Sequence, residues 1–370
     1  MSAKPRVLLV ARTRYELPLS PGLARKFDAL RDGFELRVLA AAADGRARDD
    51  GVFRLTRRLP LLDGPLFYAL LPLRVRALAR EHRPDAIVTQ SPYEAAFVRF
   101  ARIRAKVIVE IHGDWHTSTR LYGSPLRRAL APLGDRIADR AVRGADAARP
   151  VSEFTASLVR ALGREPAAVF TTYVDLDAFS GPPVPLPPEP RLLFVGVLEP
   201  YKNVETLAAA WRLAAPRAPE AQLRLVGRGS RTALVQELLR DLPGRTEWDE
   251  RLTQEQVAAA LDASRALVLP SASEGLPRIA MEAFRRGRPV IGARAGGIPD
   301  IVEDGVNGLL VPPGDPAALA TAIERIATEP GLAERLADGA RVSAPRWTTT
   351  PEQYAGRMRE LVDAVLAGSA

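Results

Sequence analysis

The chain of 370 residues contains no cysteine. That excludes disulfides, a thiolate nucleophile and any metal site built on cysteine ligands. Histidine is scarce, with three in all, which leaves little material for a metal cluster or a Ser-His-Asp triad. No apolar run approaches the ~18–20 residues that span a bilayer, although hydrophobic residues make up 47% of the chain. The opening "MSAKPRVLLVARTRYELPL" enters a strand-like run at once and offers no cleavage site, so the expectation is a cytoplasmic protein without a secretory signal. Lysine is rare as well. Only Lys4, Lys26, Lys106 and Lys202 stand among 52 basic residues, which makes a lone lysine in a polar loop conspicuous.

The net charge of +8 is uneven. Residues 1–180 carry 30 basic and 20 acidic side chains, a balance of +10, and residues 181–370 carry the remaining 22 and 24, a balance of −2. A basic half attracts nucleic acid, anionic lipid or a phosphorylated substrate, and an arginine-rich composition accounts for it equally well. No aromatic stacking platform or reading helix interleaves the arginines, so nucleic acid is not expected as a partner. From Arg54 to Arg80, "RLTRRLPLLDGPLFYALLPLRVRALAR" sets Leu59, Leu61, Leu62, Leu66, Phe67, Leu70 and Leu71 between arginines. This is the composition of an interfacial segment, and the expectation is a peripheral contact with an anionic membrane or a lipid-linked acceptor. The plainer alternative is a helix whose leucines pack on a sheet.

Residues 180–190, "SGPPVPLPPEP", hold six prolines. Proline fixes φ and has no N–H, so the stretch reads as a stiff connector between a first domain at 1–180 and a second at 181–350. Residues 351–370 are expected to form a helix returning to the first domain. On each side, short β-branched runs alternate with amphipathic segments, the pattern of βαβ units. Strand candidates are "RVLLVA", "FELRVLAAA", "VFRLTRR", "AIVTQS", "KVIVEIHG", "AARPVS" and "AVFTTYV", then "RLLFVGVL", "AQLRLVG", "RTEWDE", "RALVLPS", "PVIGAR" and "GLLV". The fold expected is α/β, two Rossmann-like domains facing each other across a cleft. In such sheets ligands sit outside the carboxyl ends of the strands.

The polar oddities fall at those ends. "SASEGLPRIAMEAF" places Glu274 in a loop and Glu282 in a helix expected from Pro277 to Arg286, with Gly275 before the exposed helix amides. Carboxylates only accept hydrogen bonds, so the pair suits vicinal hydroxyls; a capping acid and a solvated acid are the alternative. "VGVLEPYKN" carries Gly196 and Lys202, a point charge suited to a diphosphate. "LVGRGSR" and "GARAGGIPD" supply Gly227, Gly229, Gly296 and Gly297 for close backbone approach. "KVIVEIHGDWH" puts His112 at the end of a strand. The first loop, "ARTRYELPLSPG", lacks the G-x-G-x-x-G of a dinucleotide site, which argues against an oxidoreductase.

The segment "PSASEGLPRIAMEAFRRGRPVIGARAGGIPDIVEDGVNGLLVPPGD" closely resembles the donor-binding segment of retaining glycosyltransferases of family 4, which have the GT-B fold. The resemblance is strong over 191–315 and looser over 1–180. It implies that Glu282 binds ribose hydroxyls, that Glu274 lies against the transferred sugar, that Lys202 meets the diphosphate and that His112 contacts the sugar. The donor-binding set it implies is Glu282, Gly275, Leu276, Gly196, Arg228 and Arg251, with Glu274, His112 and Lys202 at the reacting centre. The family pairs its lysine with an arginine after the strand glycine, and here that position is Val197; Arg228 or Arg231, or an arginine reaching from the first domain, would supply the charge. Gly22 stands alone where a glycine-rich acceptor loop is usual. "VDLDAF", residues 174–179, contains Asp-x-Asp but reads as structural, so no metal or other cofactor is expected. The activity implied is transfer of a hexose from a UDP- or GDP-sugar to a hydroxyl with retention, and the alternative is a sugar-nucleotide epimerase of the same fold.

Overall fold

The computed structural model describes residues 4–57, 63–117, 125–182 and 184–368. The chain divides into two compact units, one built from residues up to His116, from Pro125–Tyr173 and from the stretch beginning at Thr349, the other from Val174–Thr348.

The first unit holds a seven-stranded sheet of β1 (Arg6–Tyr15), β2 (Glu35–Ala42), β3 (Arg48–Asp49), β4 (Phe53–Thr56), β5 (Ala86–Thr89), β6 (Lys106–Ile111) and β7 (Ala147–Pro150). The spatial order is β3-β4-β2-β1-β5-β6-β7, parallel except for the β3–β4 pair. A parallel sheet covered on both faces needs nearly continuous apolar strands, and "VLLVA" meets that need. Its alternate residues serve opposite layers. Leu8 and Val10 pack with Phe67, Leu71, Val75 and Leu78 of the helix Asp63–His82. Val7 and Leu9 pack with Phe27 and Leu30 of the helix Pro21–Gly33 and with Tyr354, Met358, Leu361 and Val365 of the helix Pro351–Ala367.

The arginine- and leucine-rich stretch is therefore largely a structural helix. Phe67 and Leu71 are buried, Leu66 and Leu70 are half-buried, and Leu59, Leu61 and Leu62 lie outside the described residues. Arg54 is spent on Asp49 and Glu81, at 2.7 and 2.9 Å. Among the described residues no helix is long and apolar enough to cross a membrane. "AVFTTYV" forms no strand: Ala167 and Phe170 each donate one bond to the β7 region, at 2.9 and 3.3 Å, and the interval between them breaks the ladder.

The second unit is a six-stranded, wholly parallel sheet of β8 (Arg191–Val195), β9 (Gln222–Val226), β10 (Thr246–Asp249), β11 (Ala266–Leu269), β12 (Val290–Ala293) and β13 (Gly308–Val311). Its order is β10-β9-β8-β11-β12-β13, so the winding reverses between β8 and β11, where a doubly wound sheet opens a crevice at its carboxyl edge.

The proline-rich stretch does not divide the units. The second begins at Val174, and Val174, Leu176 and Phe179 already belong to its core. Prolines cannot donate to a ladder but keep their carbonyls, and arginines take up those acceptors. Arg265 donates to Pro187 O and Pro188 O at 3.0 and 2.6 Å, Arg288 to Val184 O and Pro185 O at 2.9 and 3.1 Å, and Arg286 to Gly181 O at 2.9 Å. Arg288 is fully buried, and that burial, with the nearby Arg286 and Arg341 and against the opposing pull of Asp262, lowers its pKa to about 10.

Candidate active site

The two strands at the reversal deliver the lysine and the first glutamate. Beyond β8 the chain passes Gly196 and makes a tight turn over Pro200–Lys202 before the helix Val204–Ala214, with Asn203 left-handed at φ 53°. Beyond β11 it runs through Pro270 and Glu274 to the helix Arg278–Arg285. Lys202 is 9% exposed and its Nζ lies 2.5 Å from Glu274 Oε1, with the Tyr201 ring centroid 5.2 Å away. The two loops are tied by Ala272 N donating to Tyr201 O at 2.7 Å and Asn203 Nδ2 to Pro270 O at 3.3 Å.

Two glycines make room for this junction. Gly296 sits at φ 56°, and a Cβ there would fall 2.5 Å from Glu274 O, while Gly297 N donates to that carbonyl at 2.8 Å. Gly227, at φ 141°, would place a Cβ 1.9 Å from Gly196 O. Backbone cannot yield to such contacts, so both positions require glycine. The "GRGSR" loop is fastened to the lysine loop by Leu198 N to Arg228 O at 3.0 Å and Arg231 N to Leu198 O at 2.9 Å.

Glu282 lies in the second turn of its helix, half-buried and without a hydrogen-bond partner among the described residues. Burial pushes its carboxyl above the usual range, against a smaller opposing pull from Arg278. Such a group is an acceptor awaiting donors. Pro277 occupies the cap position with ψ 105°, and the helix starts at Arg278, one residue later than expected. Gly275 and Leu276 lie in the intervening loop, and Leu276 packs against the core beneath. Arg228 and Arg251 are exposed at the ends of β9 and β10. Arg231 is committed to Glu205, which leaves Arg228 as the better placed of the two arginines for an anion. Asp175 accepts from Asp177 N at 3.2 Å and so shapes its own turn.

In the first unit His112 follows β6, with Nε2 3.3 Å from Glu110 Oε2. Gly22 is buried in the first turn of the helix Pro21–Gly33. Sequence reasoning missed Glu94 and Glu110, two buried carboxyls of this unit. A charged residue inside the apolar strand "KVIVEI" was the available signal for Glu110; Glu94 gave none. Glu94 accepts from Arg12 N at 3.2 Å and Tyr68 OH at 3.3 Å, and contacts the Ser91 hydroxyl.

Burial raises Glu94 from 4.5 to about 7, against the bonds it accepts and the Arg12 charge. A carboxyl raised by folding stabilises the fold below its ordinary value, and that contribution is lost as pH rises through about 7. Glu94→Gln is therefore expected to raise the melting temperature at pH 8, by at most about 3 kcal/mol in stability, and not at pH 4. Thermal unfolding at both values checks this; an equal change at each would contradict it.

Two parallel-sheet α/β units, the second doubly wound with charged loops gathered at its reversal, define a protein of the GT-B class. Residues 21–173 match the family described as Glycosyl transferase 4-like domain and residues 189–329 match Glycosyl transferases group 1. The chain belongs to this glycosyltransferase family, family 4. D-inositol 3-phosphate glycosyltransferase of Streptomyces bingchenggensis is 34% identical over 192 residues, 47% of this chain and 42% of that protein. Alpha-D-kanosaminyltransferase of Streptomyces kanamyceticus is 28% identical over 177 residues, 46% of each. The chain thus aligns with less than half the length of these curated relatives. Among solved structures, sucrose-phosphate synthase of Thermosynechococcus elongatus superposes with a TM-score of 0.78 at 23% identity, covering 98% of this chain and 100% of that one. HepE of Anabaena, in complex with UDP and glucose, gives 0.70 at 19%, covering 97% and 100%. These structural likenesses establish the fold.

Proposed function

We propose that the protein is a retaining, metal-independent glycosyltransferase that moves a hexose from a UDP- or GDP-sugar to a hydroxyl acceptor in the cytoplasm. The observation that carries this reading is the buried Lys202–Glu274 pair at the reversal of the second sheet, with Glu282, which has no side-chain hydrogen-bond partner among the described residues, on the helix that follows. A diphosphate arriving there gives Lys202 a second anion and releases Glu274 to accept from sugar hydroxyls, while Glu282 accepts from the ribose. As the bond between the anomeric carbon and the diphosphate oxygen breaks, Lys202 and the loop amides stabilise the growing charge. The acceptor oxygen bonds to the same face of that carbon, and its proton passes to the departing diphosphate oxygen, so no protein base is needed. His112 takes the part the resemblance gives it, a hydrogen bond to the sugar.

A uridine donor is favoured by the UDP held by the structurally similar HepE. A thermal-shift screen of sugar nucleotides and free nucleoside diphosphates tests the reading: a ligand at 100 times its Kd adds about 2.7 kcal/mol of stability. The expected result is a shift with one base; no shift with any would contradict it. Incubation with donor alone separates transfer from epimerisation, since an epimerase makes a new sugar nucleotide.

A lipid-linked acceptor is favoured by one surface. The helix Pro125–Gly144 exposes Leu130, Leu133 and Ile137 beside exposed Arg136 and Arg140, an apolar and basic face suited to an anionic leaflet. Co-sedimentation with anionic liposomes that weakens with salt is the expected result; no pelleting at low salt would leave a soluble acceptor.

A further inference from the structure

The strand β6 carries an anomaly that the transfer reaction leaves unused. Its residues alternate, so Glu110 shares a face with Ile108 and, one pleat further on, with His112. Ile108 packs in the core that holds Tyr354 of the C-terminal helix. Glu110 is 1% exposed, and its Oε1 lies 3.0 Å from Nη1 of the fully buried Arg149 and 3.4 Å from Tyr354 OH, while Oε2 faces His112 Nε2 at 3.3 Å. Arg149 is itself confined. Its guanidinium lies 4.1 Å from the Phe170 ring centroid and 5.5 Å from that of Tyr354, and Nη2 donates to Thr171 O at 3.3 Å. Its Nη1 approaches Glu110 as an ion pair without an aligned hydrogen bond.

A buried ion pair is a poor source of stability, because apolar side chains of the same volume often serve as well or better. The arrangement around Glu110 does something apolar packing does not: it presents a fixed acceptor to one nitrogen of an imidazole. We infer that Glu110 is a positioning residue that fixes the orientation and tautomer of the His112 ring, and that Arg149 and Tyr354 hold Glu110 in place for it.

Burial alone would push the Glu110 carboxyl up, but Arg149, with His112 and Lys26, outweighs burial and holds it near 2. The ionised carboxylate can only accept, so a His112 ring that carries a single proton carries it on Nε2, facing Glu110 Oε2. Nδ1 is left to accept from a sugar hydroxyl. A carboxylate acting through a histidine in this way resembles the outer carboxylates that orient metal-bound histidines, with a substrate hydroxyl in the place of the metal. The inference rests on the reading of His112 as a sugar contact.

Glu110→Gln is the test, because an amide can donate as well as accept and so no longer dictates the tautomer. Nitrogen-15 NMR of the intact protein should show the Nε2–H form of His112 in the wild type and a mixture in the variant. With the donor identified by the thermal-shift screen, kcat should fall about tenfold, the loss of one modest hydrogen-bond preference, with nucleoside diphosphate affinity unchanged. Tyr354→Phe, which keeps the packing, should show a smaller loss in the same direction. Should the unpaired arginine unfold Glu110→Gln, the double variant Glu110→Gln/Arg149→Met removes both charges and gives the same readouts. An unchanged tautomer, or an unchanged kcat beside a changed tautomer, overturns the inference. A wild type that turns over no sugar nucleotide overturns the transferase reading instead, and the NMR result then still decides whether Glu110 orients His112.

Discussion

Glu282→Ala is expected to weaken nucleoside diphosphate binding by about 10- to 100-fold while the protein melts where the wild type does. The ribose hydroxyls lose a charged acceptor, and a charge-assisted hydrogen bond contributes about 1.5–3 kcal/mol, with about 1.4 kcal/mol for each tenfold in affinity. Stability is spared because Glu282 holds no hydrogen-bond partner within the described chain and its carboxyl is already raised by burial, so its removal orphans nothing. The helix keeps its buried face of Ala280, Met281, Ala283 and Phe284. Calorimetry and thermal unfolding of the variant check both halves. Unchanged affinity would mean that Glu282 does not meet the ribose.

Lys202→Ala is expected to lose more in turnover than in affinity, by about 100- to 1,000-fold in kcat, the scale seen when a single donor to a developing oxyanion is removed. Charge on the diphosphate grows as the glycosidic bond breaks, so a cation there acts mainly on the transition state. The variant also leaves Glu274 without the cation that stands 2.5 Å away. Val197→Arg, at an exposed position one residue past Gly196, should restore part of the rate, since it supplies the arginine that the family resemblance leads one to expect there. Single-turnover kinetics distinguish the outcomes. Wild-type kcat in Lys202→Ala would mean that an arginine, with Arg228 the first candidate, carries the diphosphate.

The loops of the second unit were readable because their chemistry is local. A lone lysine among arginines, two glutamates on one loop and helix, and glycines beside short apolar runs all lie within a few residues of strands that periodicity identifies. The pairing of Lys202 with Glu274 was not readable, since it joins positions 72 residues apart and depends on β8 and β11 being neighbours. The Glu110–Tyr354 contact spans 244 residues and left only the charge in "KVIVEI" as a trace. The prolines misled for another reason. Their rule states what such a stretch cannot be, and says nothing of Arg265, Arg286 and Arg288, which bind its carbonyls to the second unit. In the leucine- and arginine-rich helix, the packing of Phe67 and Leu71 in a core was not readable, because composition does not say which face of a helix is covered.

The central claim is that a nucleotide sugar seats at the carboxyl edge of the second sheet, on the loops after β8 and β11. Hydrogen exchange of the intact protein, with and without the nucleoside diphosphate that gives the largest thermal shift, tests it most directly. The account predicts slowed exchange concentrated in residues 196–203 and 272–284. Slowing that misses both segments while the ligand is bound would place the nucleotide elsewhere and contradict the account.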